Sequence, residues 1–160
     1  MIRKAIARDN EGIRAIYNHE VKFGTATFDN EERTEEGQTI WFVEHPALYP
    51  VLIDEEKSEL RAWASLNRWS PRKSYEKTAE VSLYVAPAWQ RQGIGKLLLP
   101  AILSAGREAG LHCVLARITE GNQISVDLHL KNGFATIGIM KEVGCKFDKL
   151  LDVTLMQKIL

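Results

Sequence analysis

Two stretches of the chain hold residue types that can do chemistry. In the first, Trp89 to Leu99 (WQRQGIGKLLL), Gly93 and Gly95 stand one residue apart between Arg91 and Lys96, and leucines follow. Glycine lets an anion approach the backbone closely, and the free N–H groups of a helix start attract phosphate. A P-loop is excluded, because Gln90 stands where that motif has its first glycine and Leu97 where it has Ser or Thr. A dinucleotide fingerprint is excluded too, because its third glycine is replaced by Leu98. What remains is a strand, a turn through Gln90, Arg91, Gln92, Gly93, Ile94 and Gly95, and a helix. This geometry suits a pyrophosphate and also serves as an ordinary strand-to-helix connection. The second stretch carries Glu80. A carboxylate within reach of a protonated amine can take its proton and free the lone pair for attack. The strand pattern by itself also fits a solvated glutamate.

The elements that must position these residues follow from periodicity. Thr78 to Val85 alternates, with Ala79, Val81, Leu83 and Val85 on one face and Glu80, Ser82 and Tyr84 on the other, which predicts a strand. Lys96 to Ala109 reads as a helix closed by Gly110, with Pro100 a flaw that costs roughly 3 kcal/mol unless compensated. Upstream, Ile2 to Ala7 reads as a strand, and Asp9 as the N-cap of a helix carrying Ile13, Ile16, Tyr17 and Glu20 or Val21 at helical spacing. Thr34 is the expected cap of a second helix that buries Ile40, Trp41 and Val43. Tyr49 to Ile53 and Leu60 to Leu66 read as a hairpin, and a polar insertion, NRWSPRKSYEKT, follows. Downstream, Cys113 to Ile118 is a strand, Ser125 to Asn132 a helix closed by Gly133, and Phe134 to Val143 and Leu151 to Ile159 are two last strands. With no repeat or linker, residues 1–160 read as one α/β domain.

Composition narrows the partners. Hydrophobic residues make up 45% and charged residues 26% of 160, which fits an ordered globular enzyme. Lys plus Arg and Asp plus Glu are both 21, so nothing pulls the whole molecule toward nucleic acid or an anionic membrane. Cys113 and Cys145 match no metal-ligand spacing and read as free thiols. With no signal core and no run near the ~20 apolar residues of a membrane span, a cytoplasmic protein is expected.

A second register lies downstream of the glycines: Asn122, Ser125, His129, Gly133 and Phe134 stand as N-x-x-S-x-x-x-H-x-x-x-G-F. Together with Val85-Ala86-Pro87, Gln90-Arg91, Gly93 and Gly95, it resembles the coenzyme A half of the GNAT superfamily of N-acetyltransferases. The likeness narrows through Tyr17-Asn18, Thr25-Ala26-Thr27-Phe28, Arg72 with Tyr75 and Thr78, Glu80 to Val85, Leu128-His129 and Val143 to Phe147. Over nearly the whole chain, these resemble the phosphinothricin and methionine sulfoximine acetyltransferases.

The resemblance implies a GNAT fold, a mixed and mostly antiparallel twisted sheet of about six to seven strands flanked by about four helices. It implies acetyl-CoA as cosubstrate, no metal, a small-molecule amine acceptor and a homodimer. Arg91, Gln92, Gly93, Ile94, Gly95 and Lys96 would hold the pyrophosphate, Leu83, Tyr84 and Val85 would pair with the pantetheine, and Asn122 and Ser125 would support it. Glu80 would be the general base, the Val85 N–H would stabilise the oxyanion, and His129 or Tyr84 would protonate the leaving thiolate. The acceptor side would be Phe28, Ser70, Pro71, Arg72, Tyr75, Glu80, Val81 and Ser82, with Arg72 gripping a carboxylate. Two alternatives stay open: another small amine or a peptide N-terminus as acceptor, and a coenzyme A-binding sensor without catalysis.

Overall fold

The computed structural model describes residues 1–160, and its seven strands form one sheet in the order β1-β2-β3-β4-β5-β7-β6. These are β1 (Ile2–Lys4), β2 (Val51–Glu56), β3 (Glu59–Arg68), β4 (Thr78–Val85), β5 (Cys113–Thr119), β6 (Ala135–Lys146) and β7 (Lys149–Ile159). Four α-helices accompany them: α1 (Asn10–Phe23), α2 (Glu35–Val43), α3 (Ile94–Ala109) and α4 (Gln123–Lys131). Every pairing is antiparallel except β4 with β5, which α3 connects as a crossover. The expected mixed sheet and helix count are therefore present.

Alternation along β3 sorts the core into two layers. Ala62, Ala64 and Leu66 pack with Leu98, Leu99 and Ile102 of α3 on one face, while Trp63 packs with Ile13, Ile16 and Tyr17 of α1 on the other. In β4, Val81, Leu83 and Val85 join the α3 layer and Tyr84 joins the α1 layer. This is the division that the β4 pattern predicts. The two hairpins close tightly, with positive φ at Lys57 and Ser58 between β2 and β3, and at Phe147 and Asp148 between β6 and β7. The second turn lets β6 and β7 run past the expected ends at Val143 and Leu151, through the pairs Gly144↔Leu151 and Lys146↔Lys149.

Three local expectations change. Asp9 precedes α1 but does not cap it with its side chain. Its carboxylate accepts instead from the Ile6 N–H at 2.8 Å and from both Arg3 Nη atoms, and the Arg3 bonds hold its pKa below the usual carboxylate range. Thr34 does cap α2, accepting from Gly37 N at 3.0 Å, but Ile40 and Val43 are exposed and the buried residue of that helix is Gln38. The reason is tertiary: Gln38 Nε2 donates to Asn10 and its Oε1 accepts from Arg33, which turns that side of the helix inward. Finally, α3 continues through Pro100, whose missing donor lies on the exposed side of the helix.

Candidate functional site

Strands β4 and β5 pair only from Thr78↔Cys113 to Glu80↔Leu115 and then separate. Beyond Glu80, β4 keeps β3 on one side, with pairs running to Ala62↔Val85, and the Ala86 N–H donates to Arg61 O just past them. In an antiparallel ladder bonded and non-bonded pairs alternate, so Tyr84 and Ser82 bond to β3 while Leu83 and Val85 turn their N–H and C=O groups toward the open side. The Val85 carbonyl accepts there from the Gln90 side chain at 3.3 Å.

A cavity of about 690 Å³ fills the gap. It gathers Phe28, Glu80, Val81, Ser82, Leu83, Tyr84, Asn122, Ser125 and His129 from the expected site. Ser70, Pro71, Arg72 and Tyr75 do not line it. The β3–β4 connection forms a single 3-10 turn at Lys73–Tyr75, which leaves Pro71, Arg72 and Tyr75 exposed to solvent. Val85 and the Arg91 to Lys96 loop lie outside the lining, at the outer end of the split.

Arg117 of β5 also lines the cavity, and sequence reasoning missed it. Its Nε donates to Glu80 Oε1 and its Nη2 to Glu80 Oε2, each at 2.6 Å, and its guanidinium lies 5.6 Å from the Trp69 ring centre. The bonds to Glu80 raise the Arg117 pKa, so the group is a permanent cation. The detectable signal was a single charge in the apolar run Cys113–Thr119, where Arg117 is the one exposed residue. Glu80 is held from its backbone as well. Asn67 Nδ2 donates to the Glu80 carbonyl at 3.0 Å and to Ser82 Oγ at 2.9 Å, while Asn67 Oδ1 accepts from Ser65 and faces His45 Nε2.

The α1 side of the cavity is aromatic. Tyr84 packs edge-on against Tyr17 and tilted against Trp63, and Arg33 lies 4.1 Å from the Tyr17 ring centre and 4.9 Å from that of Trp41. Tyr17 bonds Thr27 and Asp29, and burial pushes its pKa up to about 12. Burial also raises the Tyr84 pKa, so that phenol keeps its proton. The loop bearing Phe28 is tied down by Thr119 Oγ1 donating to Thr25 O and by buried Lys146 Nζ donating to Thr27 O, both at 2.7 Å.

His129 lies 5% exposed, with its ring edge-on to Phe134. Nδ1 is 2.7 Å from the Ser125 carbonyl, which can only accept, so Nδ1 carries the hydrogen and Nε2 is left with a lone pair and no partner. Burial lowers the His129 pKa. The ring is therefore neutral near pH 7, and Nε2 accepts rather than donates.

At the outer end, Gly93 has φ +81°, a left-handed conformation that L side chains disfavour, and no side chain caps the start of α3. The first-turn N–H groups there lack the usual side-chain partner. A Cβ at Gly93 would meet nothing within 4 Å, so the space above the helix start is open. Asn122 caps α4 by accepting from Ser125 N at 3.2 Å, which fixes both residues at the cavity rim.

The split β4/β5 pair thus opens onto a cavity, with a Gly-rich, uncapped helix start at its outer end and the Glu80 carboxylate in its lining. The model of the acetyltransferase (GNAT) family matches residues 13–134, and the chain belongs to that family and is an N-acetyltransferase. It is similar to the L-methionine sulfoximine/L-methionine sulfone acetyltransferase of Salmonella typhimurium, at 35% identity over 98% of this chain and 92% of the relative. It is also similar to the phosphinothricin N-acetyltransferase of Streptomyces coelicolor, at 33% identity over 95% and 91%. Among solved structures, Salmonella typhimurium yncA, an acetyltransferase described with its cofactor acetyl-CoA, superposes with a TM-score of 0.96 at 35% identity, covering 100% of this chain and 93% of that one.

Proposed function

We propose that the chain transfers acetyl from acetyl-CoA directly to the α-amine of a small amino-acid-like acceptor of the methionine sulfoximine, methionine sulfone or phosphinothricin type. The observation that carries this reading is Glu80, a carboxylate inside the cavity, beside the open edge of β4. Leu83, Tyr84 and Val85 lie along that edge, where the outward N–H and C=O groups of Leu83 and Val85 fit the amides of a pantetheine arm. Asn122 and Ser125 stand across from them. Arg91 to Lys96 and the uncapped start of α3 fit the pyrophosphate.

The residues divide the work as follows. Glu80 takes the ammonium proton directly or through water, and the amine attacks the thioester carbonyl. The Val85 N–H donates to the oxygen as negative charge develops there. The tetrahedral intermediate then collapses with cleavage of the C–S bond, and the leaving thiolate takes the Tyr84 proton, which the second N–H proton of the former amine replaces, whereas His129 Nε2 is an acceptor. Phe28, Val81 and Ser82 form walls on the acceptor side. Homodimerisation would cover Ile137, Ile139, Val143, Phe147 and Leu150, all exposed on the β6–β7 hairpin. The exposed turn with Ser70, Pro71, Arg72 and Tyr75 would then be free to meet the second copy.

The test is Glu80→Gln, assayed by free-thiol release, with acetyl-CoA affinity measured separately. Turnover should fall about 10²- to 10⁴-fold, the usual worth of a positioned base, at unchanged acetyl-CoA binding. Equal turnover in the variant removes Glu80 from its role.

A further inference from the structure

The cavity lining contains two cations, Arg33 and Arg117, and no lysine. Arg33 is set among aromatic rings: it stacks on Tyr17 and Trp41, and its Nη1 donates to Gln38 Oε1 at 2.9 Å. Arg117 is half free. Glu80 takes Nε and one hydrogen of Nη2, along one edge of the guanidinium. The edge formed by Nη1 and the other Nη2 hydrogen has no protein partner, and 52% of the side chain's surface is open. A guanidinium edge is the geometry that binds a carboxylate through two parallel bonds.

We propose that Arg117 is the carboxylate anchor of the acceptor site, binding the α-carboxylate on its free edge while its other edge holds Glu80. The inference rests on the reading of the chain as an amino-acid N-acetyltransferase. An α-amino acid is a zwitterion whose opposite charges are separated by one carbon. The Arg117–Glu80 pair offers the complementary charges side by side, so carboxylate on Arg117 brings ammonium to Glu80. A plain amine or an amino-acid amide brings only the positive group and leaves Arg117 unanswered, which sets a preference for free amino acids. Within one chain, this gives Arg117 the grip that the family resemblance implied for Arg72.

The experiment compares kcat/KM for L-methionine sulfone and for its carboxamide, corrected for the fraction of free amine, in the wild type, Arg117→Gln, Arg117→Lys and Arg33→Gln. The wild type should prefer the acid, and Arg117→Gln should cut that preference about 10- to 100-fold, the worth of charge-assisted bonds, with KM for acetyl-CoA unchanged. Arg117→Lys should recover part of it, and Arg33→Gln should keep it. The proposal is overturned if the wild type does not discriminate, if the preference survives Arg117→Gln, or if Arg33→Gln abolishes it. The wild-type comparison decides even where a variant does not fold. If no free amino acid is acetylated while another amine is, the wider reading fails first and the anchor falls with it.

Discussion

Arg117 clasps Glu80 across the point where two parallel strands part, through two bonds of 2.6 Å each. The Arg117 side chain is half exposed, and such pairs add only about 0–1 kcal/mol to stability. Its placement therefore matters more for chemistry than for folding. It fixes the direction of the Glu80 carboxylate on the cavity side of β4, while Asn67 fixes the backbone of the same residue.

Gly93→Ala tests the phosphate end. The left-handed φ of +81° costs an L residue roughly 1–2 kcal/mol, which lowers Tm by about 2–8 °C in a chain of this size. The added methyl would stand in the open space above the start of α3. KM for acetyl-CoA should rise about tenfold, the loss of one charge-assisted contact, and KM for the acceptor should stay. Melting curves and steady-state kinetics check both parts. An unchanged KM for acetyl-CoA would separate this loop from the donor.

Gly144→Ala tests the acceptor wall. A Cβ at Gly144 would lie 2.0 Å from Phe28 Cε2, so the ring must move. Overpacking of this kind costs about 1–3 kcal/mol. Because Phe28 lines the cavity, KM for the acceptor should rise while KM for acetyl-CoA is kept. The reverse pattern in initial-rate kinetics would take Phe28 out of the acceptor site.

His129 gives the protein a pH signature. Its pKa is lowered by burial in the folded state, so the unfolded chain binds a proton more readily. Above the unfolded value of about 6.5 both states are neutral and nothing is lost. As pH falls through that value the unfolded state gains a proton first, and stability declines until the folded pKa is reached. His129→Phe removes this term. Between pH 7.5 and 5, the wild type should lose more Tm than the variant; parallel curves in calorimetry would show that the ring is not buried neutral.

Much of this site was legible because chemistry and periodicity coincide in it. The alternation in Thr78 to Val85 placed Glu80, Ser82 and Tyr84 on one face, and two glycines before a leucine run marked the helix start. What stayed hidden depends on partners distant in sequence. Ile40 and Val43 read as buried because they are apolar, yet Asn10 and Arg33 pull Gln38 inward and leave them exposed. Arg72 is assigned the carboxylate grip by resemblance alone, and within one chain the turn that carries it faces solvent. Arg117 lies 37 residues from Glu80, and only the pairing of β4 with β5 makes them neighbours. The Val85 N–H is open because β5 has left it, which a strand's own residues do not encode.

Acetyl transfer to a free amino acid is measured most directly as the rate of free-thiol release from acetyl-CoA over one panel of acceptors. The panel holds the common L-amino acids, their sulfoximine, sulfone and phosphinate analogues, simple alkylamines and short peptides. Turnover of one or more free amino-acid-like acceptors is expected, with kcat/KM well above that for any alkylamine or peptide. Turnover confined to peptides or alkylamines, or none with any acceptor despite tight acetyl-CoA binding, would contradict it.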